Sequence, residues 1–68
     1  MTILVNGAAH EVGAGTTVAD LLGRLDVPAD ARGVAVAVDA EVVPRGAWAT
    51  TPLADGAQVE VLTAIQGG

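Results

Sequence analysis

Only one stretch of this chain has a helical period. Val18, Leu21, Leu22 and Leu25 fall at i, i+3, i+4 and i+7 and form a single apolar stripe. Thr17-Val18-Ala19-Asp20 has the outline of a capping box, with an acid where Glu or Gln is commoner. Asp20 and Arg24 are four apart, in the favourable order for an exposed ion pair. Gly23 lies off the stripe and weakens the helix, and Pro28 is expected to end it. A lone short helix has no second helix on which to bury its stripe. It must lie against a sheet, which makes the fold class α+β.

The remaining segments supply that sheet. Thr2 to Asn6 alternates, with Ile3 and Val5 on one face and Thr2 and Leu4 on the other. Asn6-Gly7 is the strongest short hairpin signal, because a type I′ turn needs positive φ at both central residues. Ala8 to Val12 returns as an antiparallel strand, and Gly13-Ala14-Gly15 breaks it. After the polar loop 29–33, Val34 to Val38 alternates bulky and small, with the valines expected under the helix and the alanines outside. Asp39-Ala40 makes a turn, Glu41-Val42-Val43 a fourth strand, and Pro44 stops it. Arg45 to Leu53 has no sustained period and reads as an irregular connection with one helical turn. Asp55-Gly56 then turns the chain into a last strand, Val59 to Ile65.

The order β-β-α-β-β-β, with the last strand returning beside the first, predicts a β-grasp, or ubiquitin-like, fold. Its mixed sheet has four to five strands, with one helix packed across one face. The first and last strands are then parallel neighbours in the middle. Ile3, Val5, Val59 and Val61 meet Leu21, Leu22 and Leu25 in the core. On the other face Leu4 and Leu62 are expected near each other, with Ala35 or Ala37 close by, as a docking patch. Residues 1–64 form the domain, and 65–68 form a flexible C-terminal tail ending in Gly67-Gly68.

Composition narrows the chemistry. A net charge of −5 disfavours nucleic acid and anionic membrane as partners. No segment has the ~20 apolar residues that span a bilayer, and no signal-peptide pattern opens the chain, so a cytoplasmic protein is expected. Cysteine is absent, which excludes a disulfide framework, a thiol nucleophile and a side-chain persulfide. Serine and lysine are absent too, and His10 is the only histidine. A self-contained active site or a metal site is not expected from such a set. The core must pack from Val, Leu, Ile and Ala with one ring. Trp48 is accordingly expected to cover an open end of that core.

Several of these residues also carry a family likeness: Met1-Thr2-Ile3-Leu4-Val5-Asn6-Gly7, Thr17-Val18-Ala19-Asp20-Leu21-Leu22, Glu41-Val42-Val43-Pro44-Arg45 with Trp48, Asp55-Gly56 and the closing Gly67-Gly68. Over essentially its whole length the chain resembles the ubiquitin-like sulfur carrier proteins of thiamine biosynthesis. Val-Val-Pro-Arg with a tryptophan three residues on is the most specific of these signals. Asp39, Ala57 and Gln66 depart from the family's usual residues without touching the terminal pair.

The resemblance implies a function at the chain end. The Gly68 carboxylate would be adenylated, with ATP, by a ubiquitin-activating-type adenylyltransferase. Sulfur from a partner's cysteine persulfide would then yield a C-terminal thiocarboxylate, which delivers sulfur to thiazole synthase. The chain itself would bind no cofactor. Ile65, Gln66 and Gly67 are expected to be read by the activating partner, and Leu4, Leu62 and Arg45 are candidates for its docking surface. Two alternatives share much of this pattern: the small subunit of molybdopterin synthase, and a ubiquitin-like modifier or interaction module that transfers no sulfur. Richness in Ala, Val and Gly, with Arg and no Lys, suggests a bacterial source of high GC content.

Overall fold

A computed structural model describes residues 1–28 and 32–63. The tail residues Ile65, Gln66, Gly67 and Gly68, the end of the predicted last strand and the domain boundary at residue 64 lie outside the described residues. Five strands, β1 (Thr2–Val5), β2 (Ala8–Glu11), β3 (Val34–Val38), β4 (Glu41–Val43) and β5 (Gln58–Thr63), form one sheet in the order β2-β1-β5-β3-β4. The first and last strands are parallel neighbours, with Leu4 opposite Gln58 and Val5 opposite Val59, and every other pairing is antiparallel. This is the predicted β-grasp arrangement, with its central strand made last.

One helix, α1 (Val18–Arg24), crosses one face. Its capping box is complete: the Asp20 N–H donates to Thr17 Oγ1 at 3.2 Å and the Thr17 N–H to Asp20 Oδ2 at 3.1 Å. The Asp20 carboxylate thus closes the cap instead of pairing with Arg24, contrary to expectation. Pro28 does not end the helix either. The chain leaves α1 through a Schellman motif, in which Val27 N–H donates to the Leu22 carbonyl and Asp26 N–H to that of Gly23, with Asp26 at φ 59°. Asp tolerates this left-handed conformation better than most residues.

Ile3, Val18, Leu21, Leu22, Val36 and Val59 are fully buried between helix and sheet, while Leu25 packs at the edge. At roughly 1.5–3 kcal/mol for each large apolar side chain, they carry much of the fold's stability. Val5, Val12, Trp48, Leu53, Ala57 and Val61 complete the core. The segment read as irregular is a 3-10 helix, Arg45–Thr50, which delivers Trp48 inward. Two backbone bonds tie the start of α1 to the chain that follows: Val18 N–H to the Thr51 carbonyl and Leu53 N–H to that of Thr16.

Two opposite exchanges are expected to stabilise this fold. A Cβ at Gly23 meets nothing within 4 Å, so Gly23→Ala gains roughly 0.5–1 kcal/mol of helix propensity. Ala40 has φ 70° in the β3–β4 turn, behind Asp39 at 50°. Ala40→Gly relieves a left-handed alanine for a net gain of about 0.5–1 kcal/mol. Urea unfolding of the two variants and their combination checks both signs.

Candidate functional site

β5 carries the chain toward the glycine pair, so its anchorage decides where that segment starts. It lies between β1 and β3, and its burial alternates: Val59 and Val61 point into the core, while Gln58, Glu60 and Leu62 point out. β3 pairs with it to the end, Ala35 opposite Leu62 and Val34 opposite Thr63. β1 does not reach so far. The parallel register stops at Val5 and Val59, and the Asn6 N–H makes one more bond, to the Val59 carbonyl at 2.9 Å.

Beyond that point the Asn6 side chain takes over from the β1 backbone. Its Oδ1 accepts from the Val61 N–H at 2.9 Å, and its Nδ2 donates to the Val61 carbonyl at 3.1 Å. Asn6 has φ 49° and Gly7 φ 85°, both positive as a type I′ turn requires. The residue chosen for the turn therefore also completes the ladder on β5. Sequence reasoning found only the first of these roles. The signal for the second would have been an amide at the point where a central strand outruns its partner.

The outer face differs from expectation. Leu4 is opposite Gln58, and Leu62 lies four residues farther along β5. At ~3.3 Å per residue, the two leucines are about 13 Å apart along the strand and do not form one patch. Leu62 is instead opposite Ala35, while Glu60 and Val42 flank Ala37. Leu62 and Val42 are 65% and 76% exposed, against 36% for Leu4, so the apolar side of this face lies toward β3 and β4.

Arg45 and Trp48 sit together. The indole is buried and its Nε1–H donates to the Val43 carbonyl at 2.9 Å, as a core role requires. The exposed Arg45 guanidinium lies over the ring, 4.6 Å from its centroid. An open groove of about 440 Å³ runs between the β3–β4 turn and the 3-10 helix, lined by Val38, Asp39, Val42, Pro44 and Thr51 among others. Its Asp39 carboxylate is committed to the backbone, accepting from the Gln58 N–H at 3.0 Å. Among the described residues no cluster of His, Asp or Glu could hold a metal ion, and no helix is long and apolar enough to cross a membrane.

Comparison with known proteins gives one consistent picture. The model of the ThiS family matches residues 3–68. The sulfur carrier protein ThiS of Escherichia coli is 40% identical over 68 residues, covering all of both chains. A thiazole synthase of Paramagnetospirillum magneticum is 38% identical over 68 residues; the match covers all of this chain but spans only 20% of that protein's length. Among solved structures, the crystal structure of a thiamine biosynthesis protein (ThiS) from Geobacter metallireducens superposes with a TM-score of 0.81 at 37% identity, covering all of both chains.

Proposed function

The chain belongs to the ThiS family and is a sulfur carrier of thiamine biosynthesis, and we propose that the sulfur rides on its C-terminal carboxylate at Gly68. The observation that carries this reading is that the family match runs through to residue 68 in a chain with no cysteine. Such a chain has no thiol on which to hold transferable sulfur, whereas a backbone carboxylate can accept it.

The chemistry needs activation first. A carboxylate delocalises its charge over two oxygens and resists nucleophiles. Attack of its oxygen on the α-phosphorus of ATP expels pyrophosphate and leaves an acyl adenylate with AMP as a good leaving group. The terminal sulfur of a partner's cysteine persulfide then attacks the carbonyl and expels AMP. A second thiol cleaves the resulting acyl disulfide, leaving a disulfide on the donor side and a thiocarboxylate on Gly68. ATP is thus a substrate of the activating adenylyltransferase and not a cofactor of this chain. Gly67 and Gly68, lacking Cβ atoms, suit a narrow active-site channel, with Ile65 and Gln66 at its mouth.

On this reading the protein is a cosubstrate of other enzymes, working in the cytoplasm. Thiazole synthase is the acceptor, a role supported by the thiazole synthase relative that holds a matching stretch within its own chain. Leu62, exposed opposite Ala35, and Arg45, stacked on Trp48, are the better placed of the candidate docking residues. Leu4 stands apart.

Intact-mass analysis of protein isolated from its native cells tests the proposal. The expected result is a mass gain of one sulfur-for-oxygen exchange, confined to the C-terminal peptide, with deletion of the gene rescued by the thiazole half of thiamine. An isopeptide-linked conjugate in its place, or rescue by molybdenum cofactor, refutes it.

A further inference from the structure

We propose that Asn6 is a positioning residue for the carrier's reaction: its side chain pins the end of β5, so that the segment leading to Gly68 starts from a fixed origin. The inference rests on the carrier reading above, but it arises from a separate observation. β5 continues past the last residue that the β1 backbone can pair, because Asn6-Gly7 turns the chain away into β2. Alternate residues of β5 present their N–H and C=O toward β1, and Val61 is the first whose pair has no backbone opposite it. The Asn6 amide supplies one acceptor and one donor to that pair, at 2.9 and 3.1 Å.

Few residues could do this. The site needs a donor and an acceptor side by side, as in a peptide group, and only Asn and Gln carry both on one short planar group. The turn also needs positive φ, which Asn tolerates far better than Gln. Asp keeps the acceptor and sets an oxygen against the Val61 carbonyl. Gly keeps the turn and supplies neither bond. Without the amide, residues 61 to 63 are held by β3 alone, through Val36, Ala35 and Val34. Local opening there moves the last fixed point of β5 farther from Gly68, which lowers the effective concentration of the carboxylate at the partner's catalytic centre.

Asn6→Gly separates this role from simple stability. In the full chain, the Val61 amide is expected to exchange with deuterium at least ~10-fold faster than in the wild type. Adenylation by the activating enzyme, followed as ATP–pyrophosphate exchange at saturating carrier so that weaker docking through Leu62 does not enter, is expected to lose roughly 3- to 10-fold in kcat. Thr17→Ala, which weakens the distant helix cap, is expected to keep wild-type kcat at a temperature where both variants are folded by circular dichroism. If Asn6→Gly does not fold, Asn6→Asp serves in its place. Wild-type kcat with a loosened Val61 overturns the proposal, as does an unchanged Val61 exchange rate or an equal loss in Thr17→Ala. A wild-type chain that is never adenylated sinks the carrier reading itself, and the positioning role with it.

Discussion

Removing Gly68 alone is expected to abolish adenylation while leaving the urea unfolding curve unchanged. The deletion draws the carboxylate back by ~3.3–3.6 Å, and a displacement of ~1 Å at a reacting centre can already cost about 10²-fold. Gly68→Ala keeps the length and adds one methyl group where the channel is narrowest, so its kcat/KM is expected to fall by about 10²-fold. Both variants are read by pyrophosphate exchange with the activating enzyme. An unfolding midpoint that moves with either change would tie these glycines to the globular body. Normal activation of the shortened chain would place the reacting group elsewhere.

The second large effect is expected at Trp48. The indole is 4% exposed, bonded to the Val43 carbonyl and covered by Arg45. Loss of a buried Trp costs roughly 3–5 kcal/mol. At ~0.05–0.15 kcal/mol per residue, a chain of 68 residues has a total stability of only about 3–10 kcal/mol. Trp48→Ala is therefore expected to leave much of the protein unfolded at 37 °C, a temperature where small domains have little reserve. Trp48→Phe keeps a ring but loses the indole's bond to the Val43 carbonyl, and is expected to cost about 0.5–1.5 kcal/mol for that bond alone. Trp48 is the sole aromatic residue, so far-ultraviolet circular dichroism is the measurement. A Trp48→Ala variant as stable as the wild type would mean that the ring closes nothing.

Most of the architecture is legible in the residues. Asn6-Gly7, the Thr17–Asp20 box and the strict alternation in β1, β3 and β5 each point to the same fold, and local agreement of this kind marks a foldable sequence. The likeness carried by Val42-Val43-Pro44-Arg45 and Trp48 also holds, since the chain belongs to the family it resembles. What was not legible depends on register or on backbone conformations that usually call for glycine. Asp26 takes positive φ without being Gly, so the end of α1 carries no strong local signal; the Asp39-Ala40 turn is legible, but the left-handed conformation of its alanine is not. The separation of Leu4 from Leu62 follows from a parallel pairing between segments far apart in sequence, which alternation alone cannot fix. The second role of Asn6 is hidden for the same reason. The role proposed for the glycine pair rests on family likeness, because two residues have no periodicity to read.

The strand at the middle of the sheet is the last of the five in chain order, and this has a consequence for how the domain forms on the ribosome. The Asn6–Val61 bonds join residues 55 positions apart, and contacts of such separation form late and slowly. Until β5 emerges from the ribosome, the early hairpin and the β3–β4 hairpin share no neighbour, and the helix has only part of a floor. A message cut short before that point yields a chain with no place to settle, open to proteases.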